Sequence, residues 1–250
     1  MTEEKKEKTA KPKKLADPST VSIDAATQEM VARAQELGVE TIFDRVVTMK
    51  ACNIGAQGTC CKNCSMGPCR LPLPKSGIEG EDTRKGLCGA TANTIAARNF
   101  IRMIAGGAAA HSDHGRCVAE VFLSAARKES DSYKIKDVDK LLQIAPHLSV
   151  ETMVEVDGKK VDRDLDEIAL EVAETALNEW GKPMGEVLYM KRAPEALYEK
   201  WKKSGVLPRN IDREIVEIMH RTHMGVDQDF RNLIKQGTRA ALADGWGGSM

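Results

Sequence analysis

The sequence has few aromatic residues, 4% of 250, and no excess of either charge. It contains no apolar run approaching the roughly 18 residues that span a bilayer. Each absence excludes something. Few aromatics beside plentiful Ala, Leu, Ile, Val and Met disfavour a sandwich or barrel and favour packed helices. With 37 basic residues balancing 37 acidic ones, there is no general electrostatic case for nucleic acid or an anionic membrane as partner. The amino terminus is a polar Lys/Glu tract without a secretory core, so a cytoplasmic location and reduced thiols are expected. No glycine fingerprint of a dinucleotide site occurs, no repeat period emerges, and no cysteine follows Cys117.

What is present reads as an all-α bundle with a Cys-rich loop inserted in it. Residues 1–18, rich in Lys and Glu and interrupted by Pro12, are too poor in apolar residues to order themselves and form a charged tail. Residues 19–50 carry leading helices: one with Ile23, Ala26, Met30, Ala34 and Leu37 at helical spacing, stopped by Gly38, and one from Ile42 to Met49 opened by a Thr41–Asp44 capping box. Residues 51–89 contain too many prolines and glycines for long helices. Residues 90–250 form the helical domain. Its helices are expected at Thr91–Ala105, broken or kinked at Gly106-Gly107, then Ala108–Lys128, Asp137–Ala145, Asp164–Trp180 with Leu165 on the buried stripe, Pro194–Ser204 with Leu197 and Trp201 inward, Asn210–Met224 and Asp229–Ala243. Met153–Val161, alternating around Asp157-Gly158, reads as a small hairpin.

Six of the seven cysteines, Cys52, Cys60, Cys61, Cys64, Cys69 and Cys88, lie in the pattern C-x7-C-C-x2-C-x4-C-x18-C. Thiolates this close, among glycines that let backbone wrap a small object, suit an iron-sulfur cluster or zinc. A disulfide framework is the rival reading, and a reducing compartment opposes it. A cubane cluster takes four cysteines. Cys60 and Cys61 are neighbours whose side chains diverge, so they serve different metals. Cys61, Cys64, Cys69 and Cys88 then form one tetrad, and Cys52 and Cys60 remain as half a site. An identical half-site across a twofold axis would complete it, giving a second cluster, 4Fe-4S or 2Fe-2S, shared in a homodimer.

This run resembles the amino-terminal region of the anaerobic, nickel-containing carbon monoxide dehydrogenases. The resemblance continues through Gly86 to Phe100, Ala108 to Arg116, Ile211 to Asp227 and Arg239 to Met250, and covers most of the chain from about residue 20. It implies one 4Fe-4S cluster per subunit, one cluster shared at the dimer interface, and a ferredoxin-like electron acceptor. Acetyl-CoA synthase or hydrogenase subunits are further partners in the family. The nickel-iron-sulfur centre that oxidises carbon monoxide is held in the family by a histidine and cysteines on two later doubly wound domains. This chain carries no nickel ligand, so it is expected to be the electron-transferring portion of a longer enzyme, inactive alone. Two rivals are a structural zinc module on the same tetrad and a stand-alone ferredoxin-like carrier.

His111 and His114 stand three apart on a helix, in one stripe with Cys117 and Glu120. Imidazoles so placed can pass protons near neutral pH, and the resemblance implies a proton path of histidines here. Cys117 and Glu120 occupy the positions where further histidines are expected. The plain alternative is two polar residues on an exposed helix face, with Cys117 a small buried apolar residue. His220 and His223 share another helix face without a fitting thiol or carboxylate, and no metal is assigned to them.

Overall fold

The computed structural model describes residues 14–247 of the chain, in two compact units, Met1–Asn53 and Ile54–Met250. The expected tail lies outside the described residues up to position 13. Order begins before residue 18, because Ala16 is 5% exposed and its N–H is bonded.

Among the described residues the first unit contains three helices: α1 (Pro18–Val21), α2 (Ala25–Glu36) and α3 (Ile42–Val46). Asp24 caps α2, and Gly38, at φ +68°, turns the chain away after it. The Thr41–Asp44 capping box opens α3 as expected. The helix is shorter than Ile42 to Met49, because Thr48 and Met49 bond back three residues instead of four and tighten the end into turns. Asp44 is fully buried and ties the unit together. It accepts from Ala16 N (3.0 Å), Gln35 Nε2 (3.1 Å), Thr41 N (2.9 Å) and Thr41 Oγ1 (2.8 Å).

The N–H groups of Ala16 and Thr41 and the Thr41 hydroxyl hold the Asp44 carboxyl well below the ordinary aspartate value of 3.8. A depressed folded-state value means that the carboxylate's stabilisation is complete above the unfolded value and is lost as pH falls through the folded one. Hydrogen exchange of the α3 amides is therefore expected to stay slow from neutral pH to below the ordinary aspartate range, then accelerate. Asp44→Asn should remove this acid step and raise α3 exchange at neutral pH; wild-type protection in that variant would contradict the assignment.

The second unit opens within a helical turn, α4 (Asn53–Ala56), followed by two-residue strands β1 (Cys60–Cys61) and β2 (Cys69–Arg70). Next come α5 (Ala92–Ala126), α6 (Val138–Ile144), a 3-10 turn (Ala145–Leu148), a hairpin of β3 (Met153–Val156) and β4 (Lys159–Asp162), and α7 (Leu165–Gly181). A second 3-10 turn (Leu188–Arg192), α8 (Glu195–Ser204), α9 (Ile211–Arg221), α10 (Phe230–Leu242) and a π-type turn (Ala243–Gly247) complete it. The hairpin turns on Asp157 (φ 52°) and Gly158 (φ 76°), the paired positive values that a two-residue connection needs. Among the described residues no helix is long and apolar enough to cross a membrane.

The 35 residues of α5 form the spine, about 52 Å long at 1.5 Å per residue. This corrects the expected break at Gly106-Gly107. Each glycine costs about 1 kcal/mol against alanine in a helix. Burial of Ile101 and Ala105 before the pair, and of Ala108 and Ser112 after it, holds both halves on one axis. Along α5 lie three apolar clusters in succession. Ile95 and Ala92 meet Cys61, Leu71 and Ala90; Ala97, Ile101 and Ala105 meet Ile218 of α9 and Leu233 and Ala240 of α10; Ala126 joins the α7 core of Ile168, Val172 and Trp180. Leu165 and Leu197 are both 42% exposed, not inward as expected, since each sits in the first turn of its helix, short of the buried stripe. The 3-10 turn at 188–192, which has no periodic signature, buries Tyr189 and Met190 fully.

Packing of α10 on α5 depends on Gly237. A Cβ there would stand 2.7 Å from Ile101 Cγ2, inside a fully buried side chain that cannot swing away. Gly237→Ala is therefore expected to destabilise by about 1–3 kcal/mol through overpacking, although alanine is the better helix former. Urea denaturation measures this, and a stabilised variant would contradict the close approach.

Candidate metal centre

The cysteine-rich segment owes little to hydrogen-bonded secondary structure. Its one ladder pairs β1 with β2 in antiparallel register, Cys61 opposite Cys69 and Cys60 opposite Arg70. Side chains alternate across a strand, so Cys60 and Cys61 point to opposite sides while Cys61 and Cys69 share one. Thr59 holds the other end of the pairing, its N–H group and hydroxyl engaging Ile54 O and Leu71 O. Between the strands the chain folds so tightly that a Cβ on Gly67 would lie 3.0 Å from Cys61 O, a spacing only glycine accepts without displacing backbone.

Cys61, Cys64, Cys69 and Cys88 all line one cavity that is partly open to solvent. Asn63, Ile95 and Arg98 line it too. Cys88 arrives on a turn closed by Gly89 N–H to Gly86 O (2.9 Å), with Gly89 at φ +82°. That turn aims the Leu87 N–H at Cys69 Sγ, 3.4 Å away, a backbone donor of the kind that supports thiolate ligands. Burial pushes the Cys88 thiol up, but the Ala90 N–H, the Arg98 guanidinium and the Gly225 N–H outweigh it and hold the thiol below its ordinary value. Among the described residues no two cysteines are disulfide-bonded, and no three His, Cys, Asp or Glu side chains converge closely enough for a single metal ion.

Two buried donors on residues lining the cavity lack an acceptor. Arg98, 1% exposed, gives Nη2 to Asp227 O (2.7 Å) and points Nη1 at Cys88 Sγ (3.6 Å, within reach of the larger sulfur atom), while its Nε is buried without an acceptor. Asn63 Nδ2 is likewise buried and unpartnered. Unsatisfied buried donors are costly, and two of them beside four thiols fit an occupant rich in electron pairs, as a sulfide-containing cluster is. The residues therefore suit a 4Fe-4S group.

The connection from α9 to α10 supports this wall. Gln228 Nε2 donates to Cys88 O (3.0 Å), Thr94 Oγ1 to Gln228 O (2.7 Å), and Arg221 joins Asp227 Oδ2 (2.9 Å) to Glu217 Oε1 (2.8 Å). Burial raises the Glu217 carboxyl, but Arg209 and Arg221 bring it below its ordinary value, so Glu217 is charged at neutral pH.

The remaining candidate residues do not line this cavity. Cys60 does not line it; its carbonyl accepts from Asn99 Nδ2 (3.0 Å). Cys52 is exposed in the first unit. His111 is exposed on α5, with Nδ1 3.0 Å from Asp244 Oδ1, and His114 is exposed one turn on. Cys117 is exposed rather than buried, because the outer face of α5 here borders a groove. Sequence reasoning missed Arg98 and Asn63 as part of the site. A signal for Arg98 existed: it is a cation on the stripe of Thr94, Ile101 and Ala105, all buried.

A sequence model of the Prismane/CO dehydrogenase family matches residues 59–250. Carbon monoxide dehydrogenase 1 of Methanosarcina acetivorans is 46% identical over 231 residues, 92% of this chain and 35% of that protein. The Moorella thermoacetica carbon monoxide dehydrogenase/acetyl-CoA synthase subunit beta is 37% identical over 227 residues, 89% of this chain and 32% of its own length. A solved carbon monoxide dehydrogenase from Thermococcus sp. AM4 superposes with a TM-score of 0.77 at 45% identity, covering 93% of this chain and 35% of that one. The chain thus spans about a third of the length of the relatives it matches. With similarity running unbroken from the cysteine loop through α10, the chain belongs to the Prismane/CO dehydrogenase family.

Proposed function

We propose that this chain is the electron-transferring portion of an anaerobic nickel-iron-sulfur carbon monoxide dehydrogenase, which converts CO and H2O to CO2, two electrons and two protons. The observation that carries the reading is the grouping of Cys61, Cys64, Cys69 and Cys88 around one cavity with two unpartnered donors. A 4Fe-4S cluster bound there supplies one-electron storage, at a potential within the roughly −700 to +450 mV spanned by such clusters. The four cysteines would hold it. The Leu87 N–H supports Cys69, and Ile95 with Ala90 limits water at the back of the cavity.

Cys52 and Cys60 are the ligands assigned to a second cluster shared by two copies, from which electrons leave to a ferredoxin-like acceptor in the cytoplasm. His111, held by Asp244, and His114 serve as surface stations for protons on the same reading. The nickel ligands belong to no residue of this chain. Its Moorella relative carries acetyl-CoA synthase in its name, and a subunit of that class is the further partner proposed. A structural zinc module on the same four cysteines is the weaker alternative, since two unpartnered buried donors beside the thiols favour an occupant that carries sulfide.

Anaerobically loaded with iron and sulfide, the chain is expected to accept and return electrons reversibly in an EPR-monitored titration and to show no turnover of carbon monoxide. Turnover by this chain alone would refute the division of labour.

A further inference from the structure

Arg98 is the most deeply buried cation of the site and the least compensated. Arg209 and Arg221, by contrast, each meet carboxylates at 2.9 Å. Among the described residues no carboxylate is ion-paired with Arg98: its partners are one carbonyl, Asp227 O, and one sulfur, Cys88 Sγ. A guanidinium so placed is penalised by lost hydration unless an anion stands near it. The same cavity wall holds its idle Nε–H and the idle Nδ2 of Asn63. The ladder from Glu217 through Arg221 to Asp227 fixes the carbonyl that holds Nη2, so the guanidinium plane is positioned from outside the cavity.

We propose that Arg98 is a positioning residue that sets the reduction potential of the cluster held by Cys61, Cys64, Cys69 and Cys88, its buried cation favouring the reduced form. This rests on the cluster reading above. The step concerned is the gain of one electron by the cluster from an external donor such as a redox mediator. No bond forms or breaks, and no proton moves. Four thiolates and the iron-sulfide core together are anionic and become more so on reduction, so a fixed positive charge within reach of Cys88 Sγ stabilises the reduced state more than the oxidised one. Burial keeps that charge from being screened by salt.

The test is an EPR-monitored redox titration of the anaerobically reconstituted chain and its variants. Arg98→Met and Arg98→Gln remove the charge and should each lower the ratio of reduced to oxidised cluster at fixed potential by tenfold or more, about 59 mV for a one-electron couple. Arg98→Lys keeps the charge and should stay close to wild type. A purely structural residue would change iron content or thermal stability without ranking the three variants by charge. Neutral variants that load a cluster at the wild-type potential overturn the proposal.

If they fail to fold, wild-type protein labelled with [15N]arginine decides. Pulsed ENDOR of its reduced cluster should show a guanidinium nitrogen coupling that is lost in Arg98→Lys, and absence of that coupling in the wild type is equally fatal. A wild-type chain that takes up no iron and sulfide sinks the cluster reading itself. A chain that loads a cluster indifferent to charge at position 98 sinks this proposal alone.

Discussion

Replacing Cys69 by alanine is expected to remove about four irons and four sulfides per chain, together with the brown absorbance they confer. Cys69 stands opposite Cys61 in the register of β1 and β2, and its sulfur receives the Leu87 N–H. It therefore joins the strand pair to the Gly86–Ala90 turn that carries Cys88. Three thiolates leave one corner of a cube open to water and oxygen. The apolar cluster beneath the loop contains Cys61, Leu71, Ala90, Ala92 and Ile95, with Cys69 and Cys88 packed on it, so three of these seven residues are would-be ligands. Proteolysis within residues 62–87 should accelerate with the loss of metal, because such a site is ordered largely by what it binds. Cys60→Ala is the control: its sulfur is on the other side of β1, and the tetrad's iron should remain. Full iron retention in Cys69→Ala would show that the tetrad is misassigned.

The second large effect is on folding. Trp180 is 3% exposed, belongs to the apolar cluster that also holds Ile168, Val172 and Ala176 of its own helix, and donates Nε1–H to Ser112 O and Ser112 Oγ, both at 3.1 Å. It is the bolt between α7 and the spine helix. Trp180→Ala should cost about 3–5 kcal/mol, the sum of lost transfer energy and a cavity that a groove-side position only partly fills. Trp180→Phe keeps most of the bulk and loses the donor, for about 1 kcal/mol. Denaturant midpoints separate the two. An alanine variant within 1 kcal/mol or so of wild type would mean that α7 docks on α5 by other contacts.

Much of this architecture was readable from residue patterns because it is local. Thr41, Asp137, Asp164, Asn210 and Asp229 each cap the helix expected to follow, and a cap needs only its own next turn, whereas the helix expected to include Ile23 begins after it, capped by Asp24. The misread places are those where distant packing decides. Gly106-Gly107 stays helical because residues on both sides of it are buried, a fact about α7, α9 and α10 rather than about the pair. Leu188–Arg192 buries Tyr189 and Met190 with no period to announce it. At the candidate site, thiolate counting groups Cys61, Cys64, Cys69 and Cys88, four residues that line one cavity. The polar wall of Arg98, Asn63 and the Asp227–Gln228 corner is assembled from residues up to 165 positions apart in number, between 63 and 228, and only tertiary structure brings Gln228 to the Cys88 carbonyl.

On the function proposed above, one tetrad of thiolates holds one iron-sulfur cube. That is tested most directly in a chain carrying both Cys52→Ser and Cys60→Ser, purified without oxygen and analysed for metal and acid-labile sulfide. About four iron and four sulfide per chain are expected, with zinc absent, because Cys61, Cys64, Cys69 and Cys88 are untouched. One zinc and no sulfide, or loss of all iron, would contradict it.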